Sequence, residues 1–177
     1  TRLFTDLILN NGNVAEKFRV INTSTILGNI KIIIGDERKQ SFLVAKLDTL
    51  NDLAATWIKW IDEENKSDEF INKQEAYFPE YAVSKLLLNI YTKHLATSDQ
   101  VKSKSGVVVA VNPDVVKTDV RGSDAPMEVE NGIRSSMRLI KMSEDEIEQL
   151  NGSLVDPRLK ALDILDESFD FLAHSLE

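Results

Sequence analysis

The sequence contains no cysteine among its 177 residues. This absence excludes a disulfide framework, a zinc site with thiolate ligands and a cysteine nucleophile. Histidine is nearly as scarce, because the only two, His94 and His174, lie far apart in the chain. We therefore predict that the protein holds no metal ion.

Glycine is also in short supply. The seven glycines lie below the average usage of about 7%, and no two of them stand close together. The sequence consequently contains neither a G-x-G-x-x-G loop nor a G-x-x-x-x-G-K-[ST] loop, whose backbone amides hold the phosphates of nucleotides. An element that binds a pyrophosphate must lie elsewhere or be supplied by another chain.

Basic residues are fewer than acidic ones, with 21 Lys and Arg against 29 Asp and Glu and a net charge of −8. Because no basic run is present, a primary role in nucleic-acid binding is disfavoured. The longest apolar runs, such as residues 107–111, are far too short to span a membrane, and no cleavable signal is recognisable. An apolar fraction of 42% is ordinary for a globular domain. We interpret the chain as a soluble, cytoplasmic protein.

Helical and strand patterns alternate along the chain. The five apolar residues 107–111 are typical of a strand that is buried on both faces of a parallel sheet. The other predicted segments are helices at residues 1–9, 81–96, 127–141 and 159–176, and strands at residues 18–24 and 152–155. This alternation predicts an α/β fold whose strands run parallel.

A long and partly helical segment interrupts the alternation between the first two strands. Its residues 32–35 are compatible with a small strand or a packed loop. Apolar spacing predicts one helix over residues 36–50 and a second, capped at its start by Asn51, up to residue 64. Trp57 and Trp60 share a face of the second helix, and we expect both to be largely buried.

Three short motifs follow one another in the sequence. The first is the hydroxyl-rich strand end N-T-S-T at residues 22–25, the second is Tyr81-x-x-x-Lys85, and the third runs from Pro113 to Thr118. Together they resemble the N-x-S-S, Y-x-x-x-K and P-G-x-x-x-T motifs of the short-chain dehydrogenase/reductase family. The 56 positions between Thr25 and Tyr81 resemble the long insert of its carbonyl-reductase-like members. In those members two helices, here residues 36–64, pack beside the substrate cleft.

The pair Tyr81 and Lys85 has a clear chemical logic beside this resemblance. Residues four apart on a helix point the same way, and an ammonium ion beside a phenol favours the phenolate. A phenol tuned in this way can give a proton to a carbonyl oxygen while hydride arrives at the carbon. The resemblance implies that Tyr81 is the proton donor and that Lys85 also binds the ribose of the cofactor. The alternative is a surface tyrosine and lysine on an amphipathic helix.

The other two motifs depart from the family pattern. Thr25 stands where the family has its catalytic serine, so the resemblance implies that its hydroxyl polarises the substrate carbonyl; alternatively, it caps backbone groups at the strand end. Pro113 and Thr118 match residues that contact the nicotinamide. Asp114, however, replaces the glycine that lets the backbone approach the cofactor, and its carboxylate brings a negative charge towards the pocket.

The resemblance implies an α/β fold that is the C-terminal half of a doubly wound parallel-sheet Rossmann domain, with a helical insert at about residues 36–80. Residues 1–165 would form this half domain and residues 166–177 an extension. The complete domain would use NADP(H) to reduce a small ketone or aldehyde. We expect no tight cofactor binding by this chain alone, and completion by a missing N-terminal half or a complementing chain. The alternatives are a degenerate, inactive structural subunit of a larger assembly and a binding module.

Overall fold

The computed structural model describes residues 2–11, 14–64, 78–119 and 122–168. The helices in these ranges are α1 (Arg2–Asn10), α2 (Asp36–Leu43), α3 (Leu50–Glu64), α4 (Pro79–Ala96), α5 (Asp99–Lys102), α6 (Val129–Gly132), α7 (Arg134–Lys141) and α8 (Glu144–Glu148). The strands are β1 (Arg19–Thr23), β2 (Val107–Val111), β3 (Leu154–Val155) and β4 (Ala161–Leu162), and a 3-10 turn spans Ile30–Ile32. None of the described helices is both long and apolar enough to cross a membrane.

The four strands form one sheet in the order β1-β2-β3-β4. β1 and β2 run parallel over their full length, with Arg19 opposite Val107 and Thr23 opposite Val111. β3 is parallel to β2, whereas β4 is antiparallel to β3. The α/β fold with a mainly parallel sheet is therefore confirmed, and the antiparallel β4 departs from the expected all-parallel arrangement.

One face of the sheet packs against α4 and the insert. Val108 and Ala110 of β2 share a core with fully buried residues of α4 such as Leu86 and Ile90. In the insert, the ring centroids of Phe42 and Trp57 lie 5.1 Å apart in the same core. The insert therefore extends the core on this side of the sheet. Trp57 is 1% exposed, as expected, while the side chain of Trp60 lies outside the described residues.

The opposite face packs against α7 and α8. Val107, Val109 and Val111 form a second core with Leu139 and Ile147. β2 is consequently buried on both faces, as its apolar sequence predicts.

Arg19, at the start of β1, fastens α7 to the sheet. Its guanidinium donates hydrogen bonds of 2.8, 2.9 and 2.8 Å to the carbonyl oxygens of Leu139, Ile140 and Met142. These carbonyls lie at or just beyond the end of α7, where helical partners run out. One side chain therefore both caps the helix and fixes its position over β1.

Two predictions about the insert are wrong. Helix α2 ends at Leu43 instead of residue 50, and α3 begins at Leu50, so Asn51 lies inside the helix and does not cap it. Between the two helices, the hydroxyl of Thr49 accepts a hydrogen bond from the amide of Lys46 and donates one to its carbonyl oxygen. This local turn overrides the continuous apolar spacing. Residues 65–77 lie outside the described part of the chain.

The helix predicted over residues 127–141 is also wrong at its start. The backbone of Met127 pairs with Val116 in an isolated bridge, so the helical region begins only at Val129. A turn at Ile133 then separates α6 from α7.

Residues 159–168 form a turn and β4 instead of the predicted helix. The buried carboxylate of Asp156 accepts hydrogen bonds from the amides of Arg158 and Lys160, and Leu159 adopts a positive φ of 68°. This turn after β3 reverses the chain into β4. Residues 169–177 of the predicted helix lie outside the described part.

Candidate active site

The candidate site lies where β1 and β2 end and α4 begins. Parallel strands bring their carboxyl ends to the same edge of a sheet, which is where open α/β sheets bind ligands. Here the edge carries the loop after β1 with Thr25 and the loop after β2 with Asp114. In the described ranges, no cluster of three His, Asp or Glu side chains is arranged to hold a metal ion.

Helix α4 positions Tyr81 and Lys85. Pro79 occupies its first turn, where the missing amide hydrogen costs no helical hydrogen bond. Tyr81 is 45% exposed, and the ammonium nitrogen of Lys85 lies 5.6 Å from the centroid of its ring. The two side chains that the motif pairs are therefore neighbours, with the cation over the face of the phenol ring.

Lys85 also reaches the end of β1. Its ammonium group donates a hydrogen bond of 3.0 Å to the carbonyl oxygen of Thr23. Partial burial lowers the pKa of Lys85 from its usual value of 10.5, because a desolvated ammonium ion is less stable relative to the neutral amine. The cation is thus held between the strand end and Tyr81.

A second residue of α4 ties the loop after β1 to the same helix. The buried side-chain amide of Asn89 donates hydrogen bonds to the carbonyl oxygens of Thr25, at 3.3 Å, and Gly28, at 2.9 Å. Gly28 lies directly against α4, because a Cβ there would be 2.5 Å from the backbone of both Lys85 and Leu86. Only glycine permits this approach, so the loop rests on the helix backbone beside the motif lysine.

Sequence reasoning missed both Asn89 and Gly28. A signal existed for Asn89, because it stands four residues after Lys85 and eight after Tyr81 and so continues their stripe along the helix. No comparable signal marks Gly28. Its role follows from a contact between segments more than fifty residues apart.

The two hydroxyl side chains after β1 have different surroundings. Ser24 is 3% exposed, and its hydroxyl oxygen has no hydrogen-bond partner among the described residues. Thr25 is partly exposed, and its oxygen accepts a long hydrogen bond of 3.3 Å from the amide of Leu27. That bond matches the capping interpretation of Thr25, but it does not use the hydroxyl hydrogen. Thr25 is the hydroxyl that a ligand can reach.

Asp114 adopts the backbone conformation that favours glycine. Its φ is +69°, in the left-handed region that aspartate tolerates better than most residues. One carboxylate oxygen accepts a hydrogen bond of 2.8 Å from the amide of Val115. The loop therefore keeps a glycine-like backbone at the position where the family has glycine, and the carboxylate is oriented by the main chain.

The rest of the loop after β2 folds back on residue 127. The amide of Lys117 donates to the carbonyl oxygen of Met127, and the Lys117 side chain pairs with Glu128. Pro113 is partly buried, and Thr118 is exposed to solvent. The structure thus places Pro113 and Thr118 on the loop next to the one that carries Thr25.

A cavity of about 330 Å³ is lined by residues of α3 and α4 beside this site. Its lining combines apolar and polar side chains: Leu50, Asn51, Ala54, Ser84, Lys85, Leu87, Leu88 and Tyr91. Lys85 therefore lines this cavity and also contacts the ring of Tyr81 and the carbonyl oxygen of Thr23. The insert helix α3 consequently lies next to the helix that carries the motif.

Comparison with solved structures identifies the fold. No family model and no curated protein matches the chain. Salutaridine reductase from Papaver somniferum matches with a TM-score of 0.67 and 20% identity, over 81% of this chain and 48% of that one. The chain has a short-chain dehydrogenase/reductase fold. Carbonyl reductase Sniffer of D. melanogaster matches at 20% identity and a TM-score of 0.47, over 86% of this chain and 45% of that one.

The match to salutaridine reductase confirms the resemblance at the level of the fold. Both solved structures are short-chain reductases, and the chain spans about half their length. Tyr81 and Lys85 are neighbours on α4, and the loop that carries Thr25 is held against the same helix. Their chemical roles, and those of Pro113 and Thr118, remain predictions.

Proposed function

We propose that this chain carries the carbonyl-activating part of an NADP(H)-dependent reductase that acts on a small ketone or aldehyde. The observation that carries the proposal is the arrangement at the start of α4. Lys85 contacts both the ring of Tyr81 and the end of β1, and Asn89 holds the Thr25 loop against the same helix. A phenol, a cation and a hydroxyl are thus organised by one helix.

In this proposal Tyr81 donates a proton to the carbonyl oxygen of the substrate. The exposed phenol can meet a substrate directly, and a positioned acid contributes about 10²–10⁴-fold to rate. The Lys85 ammonium ion stabilises the negative charge that develops on the phenol as its proton leaves. The Thr25 hydroxyl donates a hydrogen bond to the same carbonyl oxygen and orients it.

The residues present fit the nicotinamide and ribose end of a dinucleotide. Two polar donors at this edge are the Lys85 ammonium ion, beside the strand end, and the Thr118 hydroxyl, exposed on the neighbouring loop. The backbone at Asp114 keeps the left-handed conformation that favours glycine, the family's residue at this position. When bound, the dinucleotide supplies the hydride. Lys85 would hold the ribose, and Pro113 and Thr118 would contact the nicotinamide.

A degenerate structural subunit is the second candidate. Two observations favour it: the Thr25 oxygen already accepts a backbone hydrogen bond, and Asp114 brings a carboxylate to the loop after β2. An activity assay with NADPH and a panel of aldehydes and ketones separates the two candidates. It uses the complete protein, with its dinucleotide-binding part present. The wild type is compared with the double variant Thr25→Ser/Asp114→Gly, which restores the family residues.

If the protein is a reductase, the wild type oxidises NADPH with at least one substrate of the panel, and the double variant is at least as active as the wild type. If neither protein shows turnover with any substrate, the reductase proposal fails and the structural candidate stands.

The 177 residues alone should not bind NADPH tightly. A pyrophosphate is normally held by backbone amides at the start of a helix that follows a glycine-rich turn, and the sequence contains no such turn. A fluorescence titration with NADPH checks this expectation. Micromolar affinity of the isolated chain for NADPH would contradict the proposal that another part of the protein binds the dinucleotide.

A further inference from the structure

Three buried polar atoms near the candidate site have no hydrogen-bond partner among the described residues. They are the hydroxyl oxygen of Ser24, the side-chain oxygen of Asn89 and the side-chain nitrogen of Asn112. Their residues are only 3%, 4% and 3% exposed, so bulk solvent does not satisfy these atoms. Because a buried polar group without a partner destabilises the folded state, each of the three atoms needs a hydrogen bond.

Ser24 and Asn112 lie side by side just beyond the ends of β1 and β2. The amide of Ser24 donates to the carbonyl oxygen of Val111, and the amide of Asn112 donates to that of Val155. The extended backbone of both strands therefore continues through these two residues. Because Thr23 pairs with Val111, the next positions along the two strands are neighbours as well.

Both side chains are directed to the face of the sheet that α4 covers. Successive side chains of a strand alternate between the two faces. Asn112 follows Ala110, which shares a core with α4, by two positions. Ser24 follows Asn22 by two positions, and the side-chain amide of Asn22 donates to the hydroxyl of Thr92 on α4. The two unpartnered groups therefore face α4 together.

Asn89 reaches this pair from α4. Its side-chain nitrogen lies 3.3 Å from the carbonyl oxygen of Thr25, the residue directly after Ser24. The same nitrogen donates to the carbonyl oxygen of Gly28, so both of its hydrogens are used and the orientation of the amide group is fixed. The remaining side-chain oxygen of Asn89 is consequently a buried acceptor close to Ser24.

We propose that Ser24, Asn89 and Asn112 bind one internal water molecule. A buried water typically makes about three hydrogen bonds to buried polar groups that have no other partner. The Asn112 nitrogen donates to the water oxygen, the water donates to the Asn89 oxygen, and the Ser24 hydroxyl can donate or accept. None of the three atoms is hydrogen-bonded to another, and a bridging water joins polar groups that are too far apart for a direct bond.

This water joins the three segments that carry the sequence motifs. Ser24 directly precedes Thr25, Asn112 directly precedes Pro113, and Asn89 stands one helical turn after Lys85 on α4. The water therefore links the turn at Pro113 to α4 and to the loop after β1. Such a site serves an active reductase and a structural subunit equally, so it does not depend on the proposed function.

Ser135 of α7 offers a matched control. It is 2% exposed, and its hydroxyl also has no partner among the described residues. Its helix covers the opposite face of the sheet, where Leu139 packs with Val109. In the described ranges, no other buried side-chain atom on that face lacks a hydrogen bond. Because an internal water needs two to four polar partners, this hydroxyl alone does not hold one.

A crystal structure of the complete protein, at a resolution that shows ordered water, tests the site directly. We expect one water whose oxygen lies about 2.7–3.2 Å from each of the three polar atoms. Direct hydrogen bonds among the three side chains, or the lack of any water that contacts all three, would overturn the proposal.

Oxygen-17 magnetic relaxation dispersion counts long-lived internal waters in solution. Asn112→Leu replaces the donor by an apolar side chain of similar size, so the count should fall by one relative to the wild type. Ser135→Ala should leave the count unchanged. Ser24→Val, which replaces the hydroxyl by methyl groups, takes the place of Asn112→Leu if that variant fails to fold. An unchanged count, or an equal fall in the Ser135 control, refutes the site.

The thermodynamic coupling of Asn89 and Asn112 completes the test. If one water binds both, either alanine substitution releases it, so the second substitution costs less than the first. The unfolding equilibrium constant of Asn89→Ala/Asn112→Ala, from urea denaturation, should rise about fivefold less than the product of the two single effects. The pair Asn89→Ala/Ser135→Ala should be multiplicative. Multiplicative behaviour of both pairs would show that no water joins Asn89 to Asn112.

Discussion

The loops that follow β1 and β2 reach the same edge of the sheet but are held there in different ways. Distant side chains fix the loop after β1, since Asn89 of α4 binds the carbonyl oxygens of Thr25 and Gly28. The loop after β2 takes its bend from its own backbone, where Asp114 has a positive φ and binds the next amide. One loop is held by a helix contact, and the other owes its bend to the backbone conformation of Asp114.

This difference shows how the site is assembled. Tyr81 lies on α4 and the Thr25 loop is held against the same helix, so a change at the contact between α4 and the loop should alter the position of Thr25 relative to Tyr81. A change at Asp114 acts first on the backbone conformation of its own loop. Substitutions in the two loops should therefore differ in how much they lower the free energy of unfolding and in how much of the site they change.

The largest loss of stability should come from Gly28→Ala. The new methyl group would lie 2.5 Å from the backbone of α4, which cannot give way as a side chain can, so we expect a loss of about 3 kcal/mol in the free energy of unfolding. Urea denaturation measures it. Gly122→Ala is the control, because that glycine has open space around it and a positive φ of 78°, and its replacement should cost about 1 kcal/mol. Equal losses would show that the loop does not rest on the helix.

Asn89→Ala should cost about 2 kcal/mol, since it removes two hydrogen bonds of a buried side-chain amide and leaves the carbonyl oxygen of Gly28 without that donor. The matched control is Asn10→Ala, which removes an exposed hydrogen bond from Gln100 and should cost about 0.5 kcal/mol or less. Thermal unfolding of both variants provides the measurement. A loss in Asn89→Ala no larger than in the control would mean that α4 does not hold the Thr25 loop.

The loop after β2 should respond to backbone preference. At a φ of +69° glycine is unstrained and alanine is not, so Asp114→Ala should be about 1 kcal/mol less stable than Asp114→Gly. Urea denaturation compares the two variants. If alanine proves as stable as glycine, the left-handed conformation is not what shapes this loop.

The smallest effect should be a pH dependence due to Lys85. Burial lowers the pKa of Lys85 in the folded protein below 10.5, so the unfolded chain binds more protons at this residue between the lowered pKa and 10.5. Stability relative to Lys85→Met should therefore rise with pH across that interval. Lys93→Met, at an exposed position of the same helix, is the control. A relative stability that falls with rising pH would contradict the burial of the ammonium group.

The comparison also shows what the sequence could predict. The pairing of Tyr81 and Lys85 could be predicted because helical spacing alone puts them together. The burial of β2 could be predicted because an uninterrupted apolar run indicates burial on both faces. The contact of Gly28 with the backbone of α4 could not be predicted, since it joins segments far apart in the chain. Residues 159–168 have apolar spacing that favours a helix, but the hydrogen bonds of the buried Asp156 carboxylate to the following amides override it.

The most direct test of the account is the turnover number of Tyr81→Phe in NADPH-dependent carbonyl reduction by the complete protein. Tyr91→Phe, which alters a buried tyrosine of the same helix, is the control for loss of a hydroxyl group. If Tyr81 donates the proton, its replacement lowers turnover by about 10²–10⁴-fold without a matching loss of stability, and Tyr91→Phe stays within severalfold of the wild type. Wild-type turnover in Tyr81→Phe would contradict the account.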